Sequence, residues 1–453
     1  MIAQNKPEML KSSHQLEVRI GCDEMKNEYD CVVIGAGPAG GTTAALVAEA
    51  GNSTLLIERE KMPRFHVGES LMPEVYWTLD RLGVVEKIRA KGKFTKKNGV
   101  QFVTNKGKES RPFFFQEHDA RESALTWHVK REDFDKILFD NATEKGADCF
   151  DETRVTKIDF SENGKHKIEL IDREGQTRHV IAKVVVDATG QQSMIANKLQ
   201  IKDVNPELKK AAIWSYFEGA KRNGSGEEAE VTCILHTKDK SAWYWYIPLG
   251  DGSVSVGLVS NNDSLLKGRG TPAETFYEEM ENCVGIKNRL ADATQKGEIR
   301  VAKEFSYTTK KHAGDGWVLV GDAYSFIDPV YSSGVFLALK SGELAADAIN
   351  EGFQLGDLSE QQLGCWTDDY EKGISLFRKL VGAFYTDEFS FAEFMKKYPQ
   401  YKGDLTDLLI GRVYGDSNPG RMFDDMDPWI QHSKDGTIDQ YAATIPDPMM
   451  ETM

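Results

Sequence analysis

A glycine-rich turn between two apolar β-runs constrains the fold of this chain more than any other feature. The first run, residues 31–34, leads into the turn Gly-Ala-Gly-Pro-Ala-Gly at residues 35–40, and a helix of small residues follows. The second run, residues 54–57, ends on the acidic Glu58. A strand, a GxGxxG turn, a helix and an acidic strand end, in that order, predict a βαβ unit that binds a dinucleotide.

Each glycine of the turn has a physical role in such a unit. Gly35 suits the tight turn, Gly37 lets the backbone approach a pyrophosphate, and Gly40 lets the helix pack close to the strand. The helix N-terminus offers free N–H groups to the phosphates, and a carboxylate at the strand end can accept from ribose hydroxyls. The cofactor-binding residues predicted from this stretch are Gly35, Ala36, Gly37, Ala39, Gly40 and Glu58.

Composition excludes several other classes of function. The chain has 453 residues and a net charge of −15, which disfavours general nucleic-acid binding because phosphate contact needs a basic face. It has no apolar run of about 18 residues, so no membrane span is expected. The six cysteines are scattered without paired spacing, which favours reduced thiols, a cytoplasmic protein and no structural metal site.

The order of patterns along the chain predicts an α/β fold in several parts. We expect a flexible N-terminal arm at 1–28, a Rossmann-like nucleotide-binding domain at 29–198 and an antiparallel β-sheet substrate domain at 199–310. A buried strand and turn near residue 320 indicate that the chain returns to the first domain over 311–350. The remainder, 351–453, is predicted to be a helical C-terminal region that ends in a loose acidic tail.

Two further turns give the nucleotide domain a family resemblance. The Asp-Ala-Thr-Gly turn at 187–190 and the Gly-Asp-Ala turn at 321–323, together with the N-terminal fingerprint, resemble the FAD-binding architecture of the p-hydroxybenzoate hydroxylase class. The resemblance implies that Asp322 accepts from the ribityl chain of FAD. It also implies that Arg131, in an xVxRxxFDxxL element, helps to hold the cofactor.

Shorter stretches resemble the flavin-dependent halogenases. Residues 243–248, WYWYIP, match a WxWxIP element, and residues 326–334 match FxxPxxSxG. Lys97 occupies the lysine position of an FxxKxG element. The loop PRFHVGESLMP at 63–73 resembles the branch that acts on phenols and pyrroles.

The resemblance implies an activity and a set of residues. FADH2 from a separate flavin reductase would react with O2 and with chloride or bromide to give hypohalous acid, which the catalytic residue Lys97 would present to an electron-rich ring. The halide would lie at Ser333 and Gly334, beside the cofactor residue Val335. The substrate-cavity candidates are Trp243, Trp245 and Tyr331. Tyr331 stands where the tryptophan-specific branch has a glutamate, which favours a phenol or pyrrole, free or tethered to a carrier protein.

Other interpretations stay open on the residues alone. The same fold carries hydroxylases and prenyl reductases, although the reductase pattern YxWxFP is altered at Trp243 and Ile247. A flavin-binding interaction module without catalysis is a third alternative. Lys96 competes with Lys97, since a slip of one residue exchanges the faces of a strand. Ser333-Gly334 could be only a helix start, and the tryptophans could be only core.

Overall fold

The computed structural model describes residues 24–161, 163–415 and 417–445. The strands are β1 Glu28–Ile34, β2 Thr54–Ile57, β3 Thr95–Lys97, β4 Gly99–Val103, β5 Phe113–Phe114, β6 Thr126–His128, β7 Asp148–Phe150, β8 Arg154–Asp159, β9 His166–Ile171, β10 Thr177–Asp187, β11 Lys202–Glu218, β12 Thr232–His236, β13 Ala242–Pro248, β14 Val254–Asn261, β15 Thr294–Thr309, β16 Ala313–Gly314 and β17 Trp317–Leu319.

The helices fall into two groups, a short series interleaved with the strands and a longer series that closes the chain. They are α1 Pro38–Glu49, α2 Val75–Arg81, α3 Val85–Ala90, α4 Phe115–His118, α5 Arg131–Glu144, α6 Met194–Leu199, α7 Asn262–Leu266, α8 Pro272–Glu281, α9 Val284–Leu290, α10 Ser333–Leu355, α11 Glu360–Leu363, α12 Thr367–Phe384, α13 Phe391–Lys397, α14 Lys402–Ile410, α15 Met422–Lys434 and α16 Ile438–Thr444.

The first sheet has the parallel centre that the glycine-rich turn predicts. Its strand order is β16-β17-β10-β1-β2-β7, with β9 pairing on β10 and β8 on β9. β1 lies parallel between β10 and β2, and all four residues of β2 are buried. Parallel strands covered on both faces read as continuous apolar runs, which is the pattern of residues 31–34 and 54–57. The Rossmann-like core is confirmed.

The second sheet has the order β15-β11-β14-β13-β12-β4-β5. Along β13, Trp243, Trp245 and Ile247 pack into the core shared with the first sheet. The alternate residues Tyr244 and Tyr246 pack into a separate core on the other face. Because successive side chains of a strand point to opposite faces, this division follows directly from the sequence.

The second sheet differs from the expected one in a single respect. β4 and β5, which lie within the segment assigned to the first domain, join this sheet, and β4 pairs parallel with β12. Gly99 permits the junction, since a Cβ there would lie 2.2 Å from the carbonyl oxygen of Phe113. Periodicity reveals a strand and its faces but not its partner, so this pairing could not be predicted.

Close helix packing fixes the position of the dinucleotide turn. α10 lies against α1, and a Cβ on Gly342 would be 2.5 Å from the carbonyl oxygen of Ala39. The hydroxyl of Thr43 donates to the carbonyl of Gly342 at 3.1 Å. β17 pairs with β10, so the chain is back in the first sheet when it enters α10. The N-termini of α1 and α10 therefore both border the cavity described below.

The C-terminal region is ordered further than its acidic composition indicates. α15 and α16 occupy much of the segment where a loose tail was expected, and Trp429 is buried. The buried residues Met422, Phe423, Met426 and Trp429 recur at helical spacing and form an apolar stripe. The rest of that tail, from residue 446, and most of the predicted arm, up to residue 23, lie outside the described residues.

The described residues contain neither a membrane-spanning helix nor a cluster suited to a metal ion. In residues 24–445, apart from 162 and 416, no helix is both long and apolar enough to cross a membrane. Within the same ranges, no group of three or more His, Cys, Asp or Glu residues is arranged to hold a metal ion.

Candidate active site

A cavity of about 270 Å³ lies between the two sheets. The dinucleotide turn and the end of β2 form one end of it. Trp243, Trp245 and Ile247 of β13 form part of the opposite end, together with Thr232 and Ile234 of β12. The cavity therefore lies beyond the carboxyl ends of the parallel strands, where α/β sheets bind their ligands.

The dinucleotide turn has the geometry that its glycines predict. Gly35 has a φ of 103°, a conformation that strains any residue with a side chain. A Cβ on Gly40 would lie 1.8 Å from the carbonyl oxygen of Gly35, so no larger residue fits there. Gly37 and Ala39 line the cavity, and Pro38 opens α1 at a position where its missing N–H costs nothing.

Glu58 closes the turn from the end of β2. Its carboxylate accepts from the backbone N–H of Ala36 at 3.1 Å and from that of Glu60 at 3.1 Å. The side chain is buried, but it lines the cavity, which is where an acceptor for ribose hydroxyls is expected. The Nε of Arg64 also approaches the carboxylate, at 3.3 Å.

Two arginines beside the turn share one buried carboxylate. Arg131 donates from Nε to Asp135 at 2.8 Å and from a terminal nitrogen to the carbonyl of Val67 at 2.8 Å. Arg64 donates to the other oxygen of Asp135 at 2.8 Å. Burial by itself would raise the pKa of Asp135, but the two guanidiniums outweigh it, so the pKa is lowered. The pair keeps a fixed positive charge near Gly37, where a diphosphate would lie.

Sequence reasoning found Arg131 but missed Arg64. Arg131 and Asp135 stand four residues apart on α5, a spacing that places them on one helix face. Arg64 lies in the loop after β2, and its partners Glu58 and Asp135 come from two other elements. The loop resembled the family pattern, but no local spacing distinguished this arginine from its neighbours.

Asp322 lines the cavity without a hydrogen-bond partner for its carboxylate among the described residues. Burial raises the pKa of this carboxyl to about 6. Its backbone carbonyl is held by the hydroxyl of Tyr307 at 2.5 Å. The side chain is partly exposed to the cavity, and no described residue hydrogen-bonds its carboxylate, so it suits a ligand that carries hydroxyl donors. The glycine cradle and Asp322 together fit the two ends of FAD.

The loop before α10 brings backbone amides to the cavity. Ser332 has a φ of 62° at the N-cap, and it lines the cavity with Gly334 and Val335. Ser333 is buried in the first turn of the helix. Asp328 shapes the loop by accepting from the backbone N–H of Val330 at 3.1 Å. Of the two residues predicted to hold the halide, Gly334 lines the cavity and Ser333 does not, and Ser332 lines it instead.

The tryptophans of β13 are held rigidly. The Nε1 of Trp243 donates to the hydroxyl of Tyr385 at 2.8 Å, and that hydroxyl donates to Asp328 at 2.8 Å. Trp245 donates to Ser255 at 3.1 Å, and its ring lies over Gly257, where a Cβ would be 2.0 Å away. Both rings line the cavity and are also core, so the two interpretations of these tryptophans are compatible.

Tyr331, the third substrate-cavity candidate, lies behind the cavity wall. It is buried, its ring packs edge-on against Phe384 at 6.0 Å, and its hydroxyl approaches the carbonyl of Leu380 at 3.5 Å. It is not among the residues that line the cavity.

Lys97 is buried, with 1 % of its surface exposed. Its Nζ donates to the carbonyl of Leu71 at 2.8 Å and lies 5.7 Å from the ring centre of Phe115. Burial lowers its pKa to about 7, and no carboxylate of the described residues pairs with it. Lys96 points the opposite way, into solvent. The face of β3 thus distinguishes the two lysines that the sequence left open.

A hydrogen-bonded group near Lys97 reaches the cavity. Lys97 itself does not line the cavity, whereas Ser70 and Thr232 do. Their hydroxyls lie 2.9 Å apart, and the Nε2 of His128 lies 2.8 Å from the hydroxyl of Thr232. His128 is two residues beyond Thr126, the residue opposite Lys97 in the β3–β6 pair, so the side chains of Lys97 and His128 are diagonal neighbours on one face. No pattern in the sequence indicates this group, because its members come from three separate segments.

Comparison with known proteins supplies the family. The model of the FAD binding domain matches residues 28–350. A 1H-pyrrole-2-carbonyl-[peptidyl-carrier protein] chlorinase of Pseudomonas fluorescens is 30% identical, over 86% of this chain and 90% of that protein. The corresponding brominase of Pseudoalteromonas luteoviolacea is 33% identical, over 73% of this chain and 79% of that protein. The solved structure of the flavin-dependent brominase Bmp2 superposes with a TM-score of 0.79 and 28% identity, over 89% of this chain and 99% of that one.

Proposed function

This chain belongs to the flavin-dependent halogenases, and from that premise we propose that it halogenates an aromatic ring by way of Lys97. FAD, when bound in its reduced form, supplies with O2 the chemistry that oxidises chloride or bromide to hypohalous acid. The observation that carries the proposal is a buried lysine without a carboxylate partner, behind one wall of a cavity whose other end fits FAD. The remaining assignments concern side chains and backbone groups of this chain.

The halide is proposed to bind at the start of α10. This helix has 23 residues, and its first turn reaches the cavity through Ser332 and Gly334. The free N–H groups and the positive end of a long helix attract an anion and replace part of its hydration. The proposed site is next to Val335 and on the same side of the cavity as Asp322.

Lys97 is proposed to take the halogen in its neutral form. With a pKa of about 7, a large fraction of the side chain is a free amine at neutral pH. The amine nitrogen attacks the halogen of hypohalous acid, an N–halogen bond forms, and the displaced hydroxide takes the amine proton and leaves as water. The aromatic carbon then attacks the halogen, the ring proton is lost to water, and the nitrogen recovers a proton.

The tryptophan walls are proposed to keep this oxidant inside the protein. Trp243 and Trp245 are fixed by hydrogen bonds to Tyr385 and Ser255, so the wall has little freedom to admit water. Tyr331 places no carboxylate in the cavity. Without a carboxylate at position 331, the substrate ring must be made electron-rich by its own oxygen or nitrogen, as phenols and pyrroles are.

We propose a pyrrole on an acyl or peptidyl carrier protein as the first substrate to test, with free phenols second. The support is that two relatives, the chlorinase and the brominase, are named for a pyrrole-2-carbonyl group on a peptidyl-carrier protein. A separate flavin reductase is the proposed source of FADH2. The support is the single dinucleotide fingerprint in the sequence.

The test supplies reduced FAD, O2 and either chloride or bromide to the protein with pyrrolyl-carrier protein, free pyrroles and phenols. Mass spectrometry reads the halogen isotope pattern. The decisive variant is Lys97→Ala, and Lys96→Ala is its matched control, since the neighbouring lysine is exposed on the opposite face. We expect Lys97→Ala to lose halogenated product while it still binds FAD and consumes O2, and Lys96→Ala to behave as the wild type.

Halogenated product from Lys97→Ala at the wild-type rate would reject the role of this lysine. Hydroxylated product without halogen from the wild type would reject the proposed reaction in favour of a hydroxylase.

A further inference from the structure

A second cavity, of about 180 Å³, adjoins the first. It lies between the loop after β2, the start of α5 and the strands β11 and β15. Its lining is mainly charged. The basic lining residues are Lys130, Arg131, Lys296 and Arg300, and the acidic ones are Glu69, Glu132, Asp251 and Glu298. His66, Phe65 and Tyr216 also line it. Several of these side chains are exposed, so this cavity is in contact with solvent water.

Three residues, His66, Glu69 and Arg131, line both cavities. Among these three, Glu69 is the carboxyl group, and it is 3 % exposed. Arg131 does not form an ion pair with it, because the guanidinium is bound to Asp135 and to the carbonyl of Val67. Glu69 therefore separates a charged, water-accessible space from the flavin cavity.

The hydrogen bonding of Glu69 suits a carboxyl that gains and loses a proton. The hydroxyl of Tyr216 donates to Oε1 at 2.8 Å. Burial raises the pKa of Glu69, and the hydrogen bond from Tyr216 and the charge of Arg131 only partly oppose this. The charged or titratable groups that line the second cavity with it are His66 on its own loop, Lys130, Arg131 and Glu132 at the start of α5, Tyr216 on β11, Asp251, and Lys296, Glu298 and Arg300 on β15.

The halogenase reaction has a proton requirement that the flavin alone does not meet. In balance, ArH + FADH2 + O2 + X⁻ + H⁺ gives ArX + FAD + 2 H2O, where X is chlorine or bromine. The side reaction, FADH2 + O2 giving FAD + H2O2, needs no added proton. One proton per productive turnover must therefore enter the flavin cavity, and a shortage of protons favours peroxide release.

We propose that Glu69 carries this proton from the second cavity into the flavin cavity. The O–H bond of the protonated carboxyl breaks as an O–H bond of a product water forms in the flavin cavity. The carboxylate is then reprotonated from water in the second cavity, and the hydroxyl of Tyr216 stabilises the charged form in between. The proposal rests on the halogenase reaction, and it does not depend on the role of Lys97.

The test compares Glu69→Gln with Glu298→Gln, a matched control whose carboxyl lines the second cavity alone. Glutamine keeps an acceptor for Tyr216 but cannot carry a proton. Reduced FAD, O2 and bromide are supplied, monochlorodimedone traps the oxidised halide, and released H2O2 is counted. At pH 8 we expect Glu69→Gln to oxidise FADH2 at the normal rate, with at least a tenfold lower ratio of trapped halogen to peroxide. Glu298→Gln should keep the wild-type ratio.

Two further measurements remain informative if Glu69→Gln binds FAD poorly. Infrared spectra of the FAD-free protein should show a protonated carboxyl band that Glu69→Gln lacks and that persists to a higher pH than the band of an exposed glutamic acid. In Glu69→Ala, added formic acid should restore the ratio of trapped halogen to peroxide. A wild-type ratio in Glu69→Gln, the absence of that band, or no rescue by formic acid would overturn the proposal. Trapped halogen from the wild type throughout would show that such a failure concerns Glu69 and not the halogenase reaction.

Discussion

Buried basic side chains have carboxylate partners at one end of the active-site cavity and lack them, within the described residues, at the other. At the cofactor end, Arg64 and Arg131 share the carboxylate of Asp135, and Arg64 also meets Glu58. At the other end, Lys97 contacts a backbone carbonyl and an aromatic ring, and no carboxylate of the described residues pairs with it. Burying a charge is costly unless it is paired, so the arginines stay charged and the pKa of the lysine falls.

The difference separates two kinds of work. A diphosphate needs a positive charge that does not change with pH, and a paired guanidinium provides one. Halogen transfer through nitrogen needs a free amine, and an unpaired, desolvated lysine provides that near neutral pH. The partners around a buried cation therefore indicate whether it holds charge or changes it.

The largest expected effect comes from removing the shared carboxylate. Asp135→Asn leaves two buried guanidiniums with one partner fewer each, and breaking a buried ion pair of this kind costs about 3–5 kcal/mol. We expect the free energy of unfolding to fall by that amount in urea and the affinity for FAD to fall with it. Asp133→Asn on the same helix is the control, since Asp133 forms its one ion pair among the described residues with Lys91 near the surface. A loss below about 1 kcal/mol for Asp135→Asn would show that the two arginines do not depend on this carboxylate as buried ion pairs do.

Replacing Lys97 should instead raise the free energy of unfolding. The pKa of Lys97 is about 7 in the folded protein and about 10.4 in the unfolded chain, so between these values the unfolded chain binds more protons. Stability contributed by this site therefore rises with pH from 7 to about 10.4, and its cost is greatest below pH 7. We expect Lys97→Met to stabilise the protein by roughly 2–4 kcal/mol at pH 6, with the gain shrinking towards pH 10. Urea unfolding at several pH values measures this, and a gain that does not vary with pH would refute it.

The sequence predicts the cofactor end of the cavity much better than the other end. The glycine turn, Glu58 and Asp322 lie on or beside strands of one βαβ framework, where strand order and helix position follow from local pattern. Arg131 was found by resemblance, through the xVxRxxFDxxL element, and that element also contains its partner Asp135 one helical turn away. Local spacing is enough when the elements that build a site are adjacent in the chain.

The lysine end depends on contacts between distant segments. Ser70, His128 and Thr232 meet through strand pairings that no periodicity specifies, and β4 joined an unexpected sheet for the same reason. Lys97 itself was found only by resemblance to a family pattern, since an isolated lysine is usually a solvated surface group. Its burial is a property of the tertiary structure.

A smaller effect tests the charge state of Lys97 during turnover. If the free amine accepts the halogen, halogenated product should form about tenfold more slowly at pH 6 than at pH 8, because most of the side chain is protonated below its pKa of about 7. Single-turnover assays with prebound reduced FAD isolate this step from flavin delivery. Lysine labelled with ¹³C at Cε gives the titration directly, and the resonance that Lys97→Met lacks identifies the residue. A transfer rate that falls as the pH rises would show that the ammonium, rather than the amine, is the working form.

The smallest expected effect concerns the wall between the cavity and Lys97. The paired hydroxyls of Ser70 and Thr232 line the cavity, and Ser70 precedes Leu71, whose carbonyl binds Lys97, so we expect a reagent in the cavity to reach the lysine past them. Thr232→Ala removes one hydroxyl and a methyl group, and it leaves Ser70 and His128 without that partner. We expect the carbamylation of Lys97 by cyanate to become about two- to fivefold faster, a change of under 1 kcal/mol. Peptide mass spectrometry measures this rate, with the exposed Lys96 in the same peptide as an internal standard. If Lys97 reacts at the same rate in both proteins, the hydroxyl pair is not the barrier, and the route from the flavin cavity to the amine must pass elsewhere along β3.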